Sequence, residues 1–288
     1  MNVHESGEMY LEAILVLSRK SSFVRSVDVG EYLGYSKPSV SRAMGLLRNG
    51  GLIRMENDGG LYLTDAGRAI AEKMAQQGAQ VVITGRSEAR VQETAAQLGV
   101  KGVAADVSRP EDWVRVRDLL EREYGRLDVL VNNAGTGVVI KDLCDQTLEE
   151  IRLCVDINLM GPIYGIHYLT PLMKRQHSGT IINLSSVCAG HAWPGYSVYA
   201  AAKAGVRNLS KSAYVELQEH GIRSVCVIPG AGQTNFQVNA QDAPLPENAD
   251  NLKPEDMAQV VCDICALPEH VVVEETTVWG RAQVVRPL

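Results

Sequence analysis

Apolar positions along this chain recur with two different rhythms, one in residues 5–64 and another from residue 67 onward. In the first segment Tyr10, Leu11, Ile14, Leu15 and Leu17 repeat at helical spacing, which predicts an amphipathic helix. Ser26 is placed to cap a short second helix carrying Val27, Val29, Tyr32 and Leu33, and Gly34 ends it. Ser36-Lys37-Pro38-Ser39 then combines an N-cap residue with a first-turn proline. A third helix follows, with Val40, Met44, Leu46 and Leu47 on its inner face and Ser39, Ser41 and Arg42 on its outer face. Two helices about a short Gly-containing turn make a helix-turn-helix. Residues 52–55 and 61–64 flank the acidic, Gly-rich stretch 56–60 and predict a β-hairpin, which would serve as a wing.

From Gly67 on, short runs rich in Val and Ile at 80–84, 102–105, 129–132, 180–184 and 224–228 alternate with amphipathic stretches at 68–77, 88–98, 110–124, 147–175 and 197–219. Residues 271–279 are expected to supply one more strand. Such alternation predicts βαβ units, and hence a parallel sheet with helices on both faces. The expected fold class is therefore α/β, a doubly wound sheet (residues 67–288) behind an N-terminal winged helix-turn-helix domain (residues 1–66).

The chain has 288 residues, 45% hydrophobic and 22% charged, enough apolar surface for a core and too much for a natively unfolded protein. With 28 Lys and Arg against 34 Asp and Glu, the net charge is −6, which disfavours nonspecific nucleic-acid binding by the whole chain. Residues 1–8 hold Glu5 and Glu8 and no basic cluster, so a secretory leader is not expected. The uncharged run 176–202 is interrupted by Asn183, Pro194, glycines and serines, which makes it too polar for a membrane helix. A cytoplasmic protein with reduced thiols is the expectation. Cys262 and Cys265 form a C-x-x-C, but Met257, Val260, Val261, Ile264 and Leu267 around them have helical spacing and no second ligand pair follows. They are read as helix positions.

Chemistry concentrates in a few places. Tyr199 and Lys203 stand four apart, on one face of a predicted helix. An ammonium beside a phenol is expected to lower the phenol's pKa from about 10 toward the working pH, as a general acid for a carbonyl oxygen requires. Ser186, at the end of a predicted buried strand, could donate to the same oxygen. Asn132-Asn133-Ala134-Gly135 ends another strand, at the edge where open parallel sheets bind ligands. Lys37, Ser39, Ser41 and Arg42 are donors and cations suited to phosphates and base edges in a major groove.

Two resemblances follow from these motifs. Glu8 to Ile14, Val24 to Val29, Ser36 to Arg42 and Leu63 to Arg68 resemble the winged-helix half of the iron- and manganese-dependent repressors of the diphtheria-toxin-repressor type. That resemblance implies duplex DNA as a partner. It would place divalent-metal ligands at Met9 and Glu12, but the later His and carboxylate ligands have no counterpart, so no metal site is expected.

Asp106-Val107, Asn132 to Gly135, Asn158 to Gly161, Ile182 to Ser186, Tyr199 to Lys203 and Pro229 to Thr234 resemble the short-chain dehydrogenase/reductase family. The resemblance implies Tyr199 as acid/base, Lys203 as its partner and ribose anchor, Ser186 as carbonyl donor and Asn158 as holder of a relay water. It implies cofactor contacts at Asp106 (adenine), Val107, Asn133 (adenosine ribose), Gly135, Gly232 and Thr234 (nicotinamide). Gly85-Arg86-Ser87 has no acidic residue for ribose hydroxyls, and Arg86 can pair with a 2′-phosphate, so NADP is expected over NAD. Two long helices of the family usually build dimers or tetramers, and they match residues 147–176 and 197–219.

The sequence departs from that family at its start. In place of a first central strand and a T-G-x-x-x-G-x-G loop stands Leu61-Tyr62-Leu63-Thr64-Asp65-Ala66-Gly67. Asp65 occupies the place where backbone N–H groups would meet a pyrophosphate. Residues 61–64 are wanted both as a wing strand and as the central sheet strand, whose absence would leave a gap between its neighbours. The expected function is an NADP-dependent oxidoreductase on a carbonyl or alcohol substrate that carries a DNA-binding-like module. The alternatives are a DNA-binding regulator whose dehydrogenase-like part is a catalytically weak or inactive oligomerisation module, and an unproductive fusion.

Overall fold

A computed structural model describes residues 65–135, 140–232, 248 and 250–283, all within the second of two compact units, 59–288. The expected winged helix with Lys37, Ser39, Ser41 and Arg42, the segment 61–64, and Thr234 lie outside the described residues.

The described elements alternate as their apolar rhythm predicts: α1 (Asp65–Gln76), β1 (Val82–Gly85), α2 (Glu88–Leu98), β2 (Lys101–Ala104), α3 (Pro110–Glu123), β3 (Val129–Asn132), α4 (Leu148–Val155), α5 (Gly161–Gln176), β4 (Gly179–Leu184), α6 (Ser197–Leu217), β5 (Ile222–Pro229), α7 (Pro254–Ala266) and β6 (Glu275–Val278). All pairings are parallel. In β4 every residue is buried, as expected of a strand covered on both faces. Alternate side chains divide between two cores. Ile181 packs with Trp113, Val116 and Leu120 of α3, Leu169 of α5 and Leu217 of α6. Its neighbour Ile182 packs with Ile70 of α1 and Met257, Val261 and Ile264 of α7. The period-2 alternation of a strand thus fixes which helices cover which face.

Among the described residues the sheet has two parts. One part is β1-β2 and the other β3-β4-β5-β6. A cavity of about 650 Å³ lies between β1 and β3, lined by both strands, by α1 and by α3.

Two expectations need correction. The single helix expected over 147–175 is two helices joined by a π turn, Asp156–Met160. Pro162 lacks the N–H that would bond the carbonyl of Asn158, and Gly161 N–H reaches instead to the carbonyl of Asp156. The last strand starts at Glu275 rather than 271, because the carbonyl of Val271 accepts from Arg223 instead of joining the ladder. Cys262 and Cys265 sit on α7, Cys262 buried and Cys265 half-buried, and the six cysteines are free thiols. Among the described residues no helix is long and apolar enough to cross a membrane, and no group of three or more His, Cys, Asp or Glu could hold a metal ion.

Candidate functional site

The C-terminal ends of β3 and β4, the π turn and α6 bring four predicted residues together. Tyr199 and Lys203 stand four residues apart in α6, so they share one face, and both are buried. Lys203 Nζ lies 5.7 Å from the Tyr199 ring centroid. It donates to the carbonyl of Leu184, the last residue of β4, at 2.9 Å. Ser185 Oγ donates to the carbonyl of Lys203 at 2.8 Å, so helix and strand hold each other by a reciprocal pair. Ser186 follows in extended conformation and its hydroxyl bonds to the Tyr199 side chain. The same oxygen accepts from the N–H of Cys188 at 3.2 Å.

Asn158 is fully buried, and its Nδ2 donates to the carbonyl of Cys154 at 2.9 Å. A π turn widens the helix locally and rotates one side chain out of the usual register, a distortion frequent at functional sites. Gly135, just beyond β3, lies against this group: a Cβ there would be 3.1 Å from Asn158 Oδ1 and 3.5 Å from Lys203 Nζ. An added Cβ would press on Asn158 Oδ1 and be in ordinary contact with Lys203 Nζ.

Burial controls the electrostatics. It pushes the Tyr199 phenol well above its ordinary value, aided by Cys188, while the bond from Ser186 works the other way. The expectation that Lys203 draws this phenol down is therefore reversed in the protein alone, since desolvation outweighs an ammonium turned toward a backbone carbonyl. Burial also lowers Lys203 to about 8. Cys154, beside Asn158, is raised by burial to about 11.

Arg86 follows β1, and Asp106 and Val107 follow β2, on the far side of the cavity. Asp106 Oδ1 accepts from the N–H and hydroxyl of Ser108 at 2.9 and 2.7 Å, so one carboxylate oxygen holds its own turn. Val107 is buried against Gly161, and its carbonyl accepts from the Trp113 indole at 2.9 Å. Asn133 lines the cavity. Gly232 bridges to Leu252. Asp65 is the first described residue of α1 and lies in its first turn.

A buried polar network was not foreseen. Asn132 Nδ2 donates to Asn183 Oδ1 at 2.7 Å, and Asn183 Nδ2 donates to Ser210 Oγ at 3.0 Å. Ser210 in turn donates to the carbonyl of Val206 at 2.9 Å. The chain of bonds ties β3 and β4 to α6, the helix carrying Tyr199. Its one signal in the sequence is an Asn inside the apolar run 180–184.

The comparisons agree with this geometry. Residues 65–266 match the family model described as enoyl-(acyl carrier protein) reductase, and residues 2–61 match that of the iron dependent repressor, N-terminal DNA binding domain. An uncharacterized oxidoreductase of Staphylococcus aureus strain MW2 is 31% identical over 215 residues, covering 74% of this chain and 91% of that protein. Among solved structures, the closed form of a serine dehydrogenase complexed with NADP+ superposes with TM-score 0.73 at 28% identity, covering 78% of this chain and 94% of that one. A short-chain dehydrogenase from Sphingobium yanoikuyae in complex with NADPH gives TM-score 0.65 at 28% identity, covering 74% of this chain and 83% of that one. With a parallel sheet, a Ser-Tyr-Lys-Asn cluster at its C-terminal edge and a family model spanning residues 65–266, this chain belongs to the short-chain dehydrogenase/reductase family.

Proposed function

We propose that this protein is an NADP-dependent oxidoreductase acting on a carbonyl or alcohol substrate, joined to an N-terminal module that binds duplex DNA. The observation that carries the catalytic part is the Ser186–Tyr199 hydrogen bond beside Lys203 and Asn158 at one sheet edge. The Ser186 hydroxyl and the Tyr199 phenol would both bind one carbonyl oxygen. Raised by burial, the phenol keeps its proton at neutral pH and donates it to that oxygen as charge develops. Lys203 holds α6 to β4 and offers its ammonium beside the phenol. Asn158 positions the π turn against Gly135.

The residues fit the cofactor at its two ends. The bare backbone at Gly135 leaves room beside Lys203 and Asn158, and Arg86 supplies a guanidinium for a 2′-phosphate. NADPH, when bound, supplies the hydride. Similar proteins whose structures are complexes with NADP+ or NADPH support this choice. Exposed Leu148 and Leu153 on α4 and Val215 on α6 support self-association through the helices that the family pairs.

The test is NADPH-dependent reduction of a carbonyl panel by wild type and Tyr199→Phe. Turnover by the wild type and loss to background in the variant is expected. Equal rates above background would overturn the assignment. A second reading, a regulator whose dehydrogenase-like part assembles subunits without turnover, is favoured by Asp65 at the start of α1. It gains if neither protein turns over while both fold and bind duplex DNA.

A further inference from the structure

We propose that Gln283 is a positioning residue for the hydride-donating end of the cofactor: its side-chain carbonyl holds the N–H of Ala231 and so fixes the stretch Gly230-Ala231-Gly232 beside Ser186. The proposal rests on the reading of this protein as an NADPH-dependent reductase. For hydride transfer, the donor must lie within reach of a carbonyl bound by Ser186 and Tyr199. β5 runs parallel to β4 with Val227 level with Leu184, and Ser185 N–H donates to the carbonyl of Val227 at 2.8 Å. The residues that leave β5 after Pro229 therefore emerge next to Ser186, at the same edge of the sheet.

The β5–β6 ladder ends just where this stretch begins. Gly230 N–H still finds a backbone partner, the carbonyl of Val278 at 2.7 Å, but Val278 is the last residue of β6. Beyond it the chain turns, with Gln283 N–H donating to the carbonyl of Gly280 at 3.0 Å. Ala231 N–H donates instead to Gln283 Oε1 at 2.8 Å, across 52 residues. A side chain thus replaces the ladder partner that the turn removes. Two glycines make the approach possible. A Cβ at Gly230 would stand 2.5 Å from Gln283 Oε1, and one at Gly280 would collide with the backbone nitrogen of Leu252.

The turn also grips the far side of the same stretch. A parallel bridge joins Gly232 to Leu252. Just before Leu252, the carbonyl of Asp250 accepts from Ala282 N–H at 3.2 Å, and its carboxylate pairs with Arg281 at 2.8 Å. Of these ties the ion pair is exposed and contributes little, whereas the Gln283 bond reaches the stretch itself. Gly230-Ala231-Gly232 carries two glycines, the residue type that loses most freedom when ordered. Without the tether, that ordering falls to the moment of cofactor binding and weakens it.

The experiment compares full-length wild type with Gln283→Leu, which removes the acceptor, and Gln283→Glu, which keeps an acceptor oxygen at the same reach. Two ligands are titrated by calorimetry: NADPH, and adenosine 2′,5′-bisphosphate, which has the adenine end of the cofactor and no nicotinamide. Gln283→Leu should bind NADPH about two- to tenfold more weakly, the range for one neutral hydrogen bond, and bind the bisphosphate as wild type does. Gln283→Glu should restore NADPH binding. Without nucleotide, the Ala231 amide should exchange with deuterium about two- to tenfold faster in Gln283→Leu. Gln283→Ala takes the place of Gln283→Leu should leucine disturb the fold. Unchanged NADPH affinity, an equal loss for both ligands, or a glutamate variant as weak as the leucine one would overturn the proposal and leave the NADPH reading standing. Wild type that binds neither ligand would overturn that reading, and the role assigned to Gln283 with it.

Discussion

Lys203→Met should make this protein more stable at neutral pH while removing any turnover. The ammonium is buried, its pKa falls from 10.5 to about 8, and burial is the cause. At about 1.4 kcal/mol per pH unit, that difference means the charged side chain costs about 3 kcal/mol relative to its neutral form. Methionine has a similar length and carries no charge. It forfeits the bond to the carbonyl of Leu184, a loss of about 1 kcal/mol, so the variant should gain about 2 kcal/mol at pH 6.5. The gain has a defined pH course. Between about 8 and 10.5 the unfolded wild type still binds the lysine proton and the folded one has released it, so wild-type stability from this group rises with pH. The variant's advantage should shrink accordingly from pH 8 upward. Cys262 and Cys265 titrate in both proteins and cancel in the difference, whereas Cys154 and Cys188 lose the lowering that Lys203 gives them. Urea denaturation of both proteins from pH 6.5 to 9.5 provides the measurement. A stability difference independent of pH, or a variant weakened at pH 6.5, would refute the view that desolvation dominates at this lysine.

Three further outcomes are expected. Asn183→Leu should cost about 1 to 3 kcal/mol in urea denaturation, because Asn132 and Ser210 lose their shared partner inside the core; an unchanged midpoint would contradict the network's role. Arg86→Ala should weaken NADPH binding about tenfold or more and leave NADH binding unchanged, as measured by calorimetry. Arg42→Ala should weaken duplex binding and lower its salt dependence by about one counterion per site, read by fluorescence anisotropy over a salt series. Binding insensitive to salt would remove the phosphate-contact interpretation.

Much of the architecture was legible without coordinates. A strand that is buried on both faces must be apolar throughout, and a helix with one covered side must repeat its apolar residues every three to four positions. Residues 180–184 and 197–219 obey these periods, so β4 and α6 could be located closely. The four-residue spacing of Tyr199 and Lys203 fixes a common helix face by backbone geometry alone.

What the sequence determined about this protein was therefore periodic and local: which segments are strands or helices, and which side chains share a face. Through-space relations were decided by tertiary structure. Asn132, Asn183 and Ser210 meet only because β3, β4 and α6 stack, and no local rhythm marks hydroxyl or amide groups that lie far apart in the chain. Asp106 closes its own turn because Ser108 is folded back onto it. The phenol of Tyr199 rises rather than falls because its pKa answers to burial by neighbours from several elements, and the dielectric surroundings of a residue come into being only when those elements pack together.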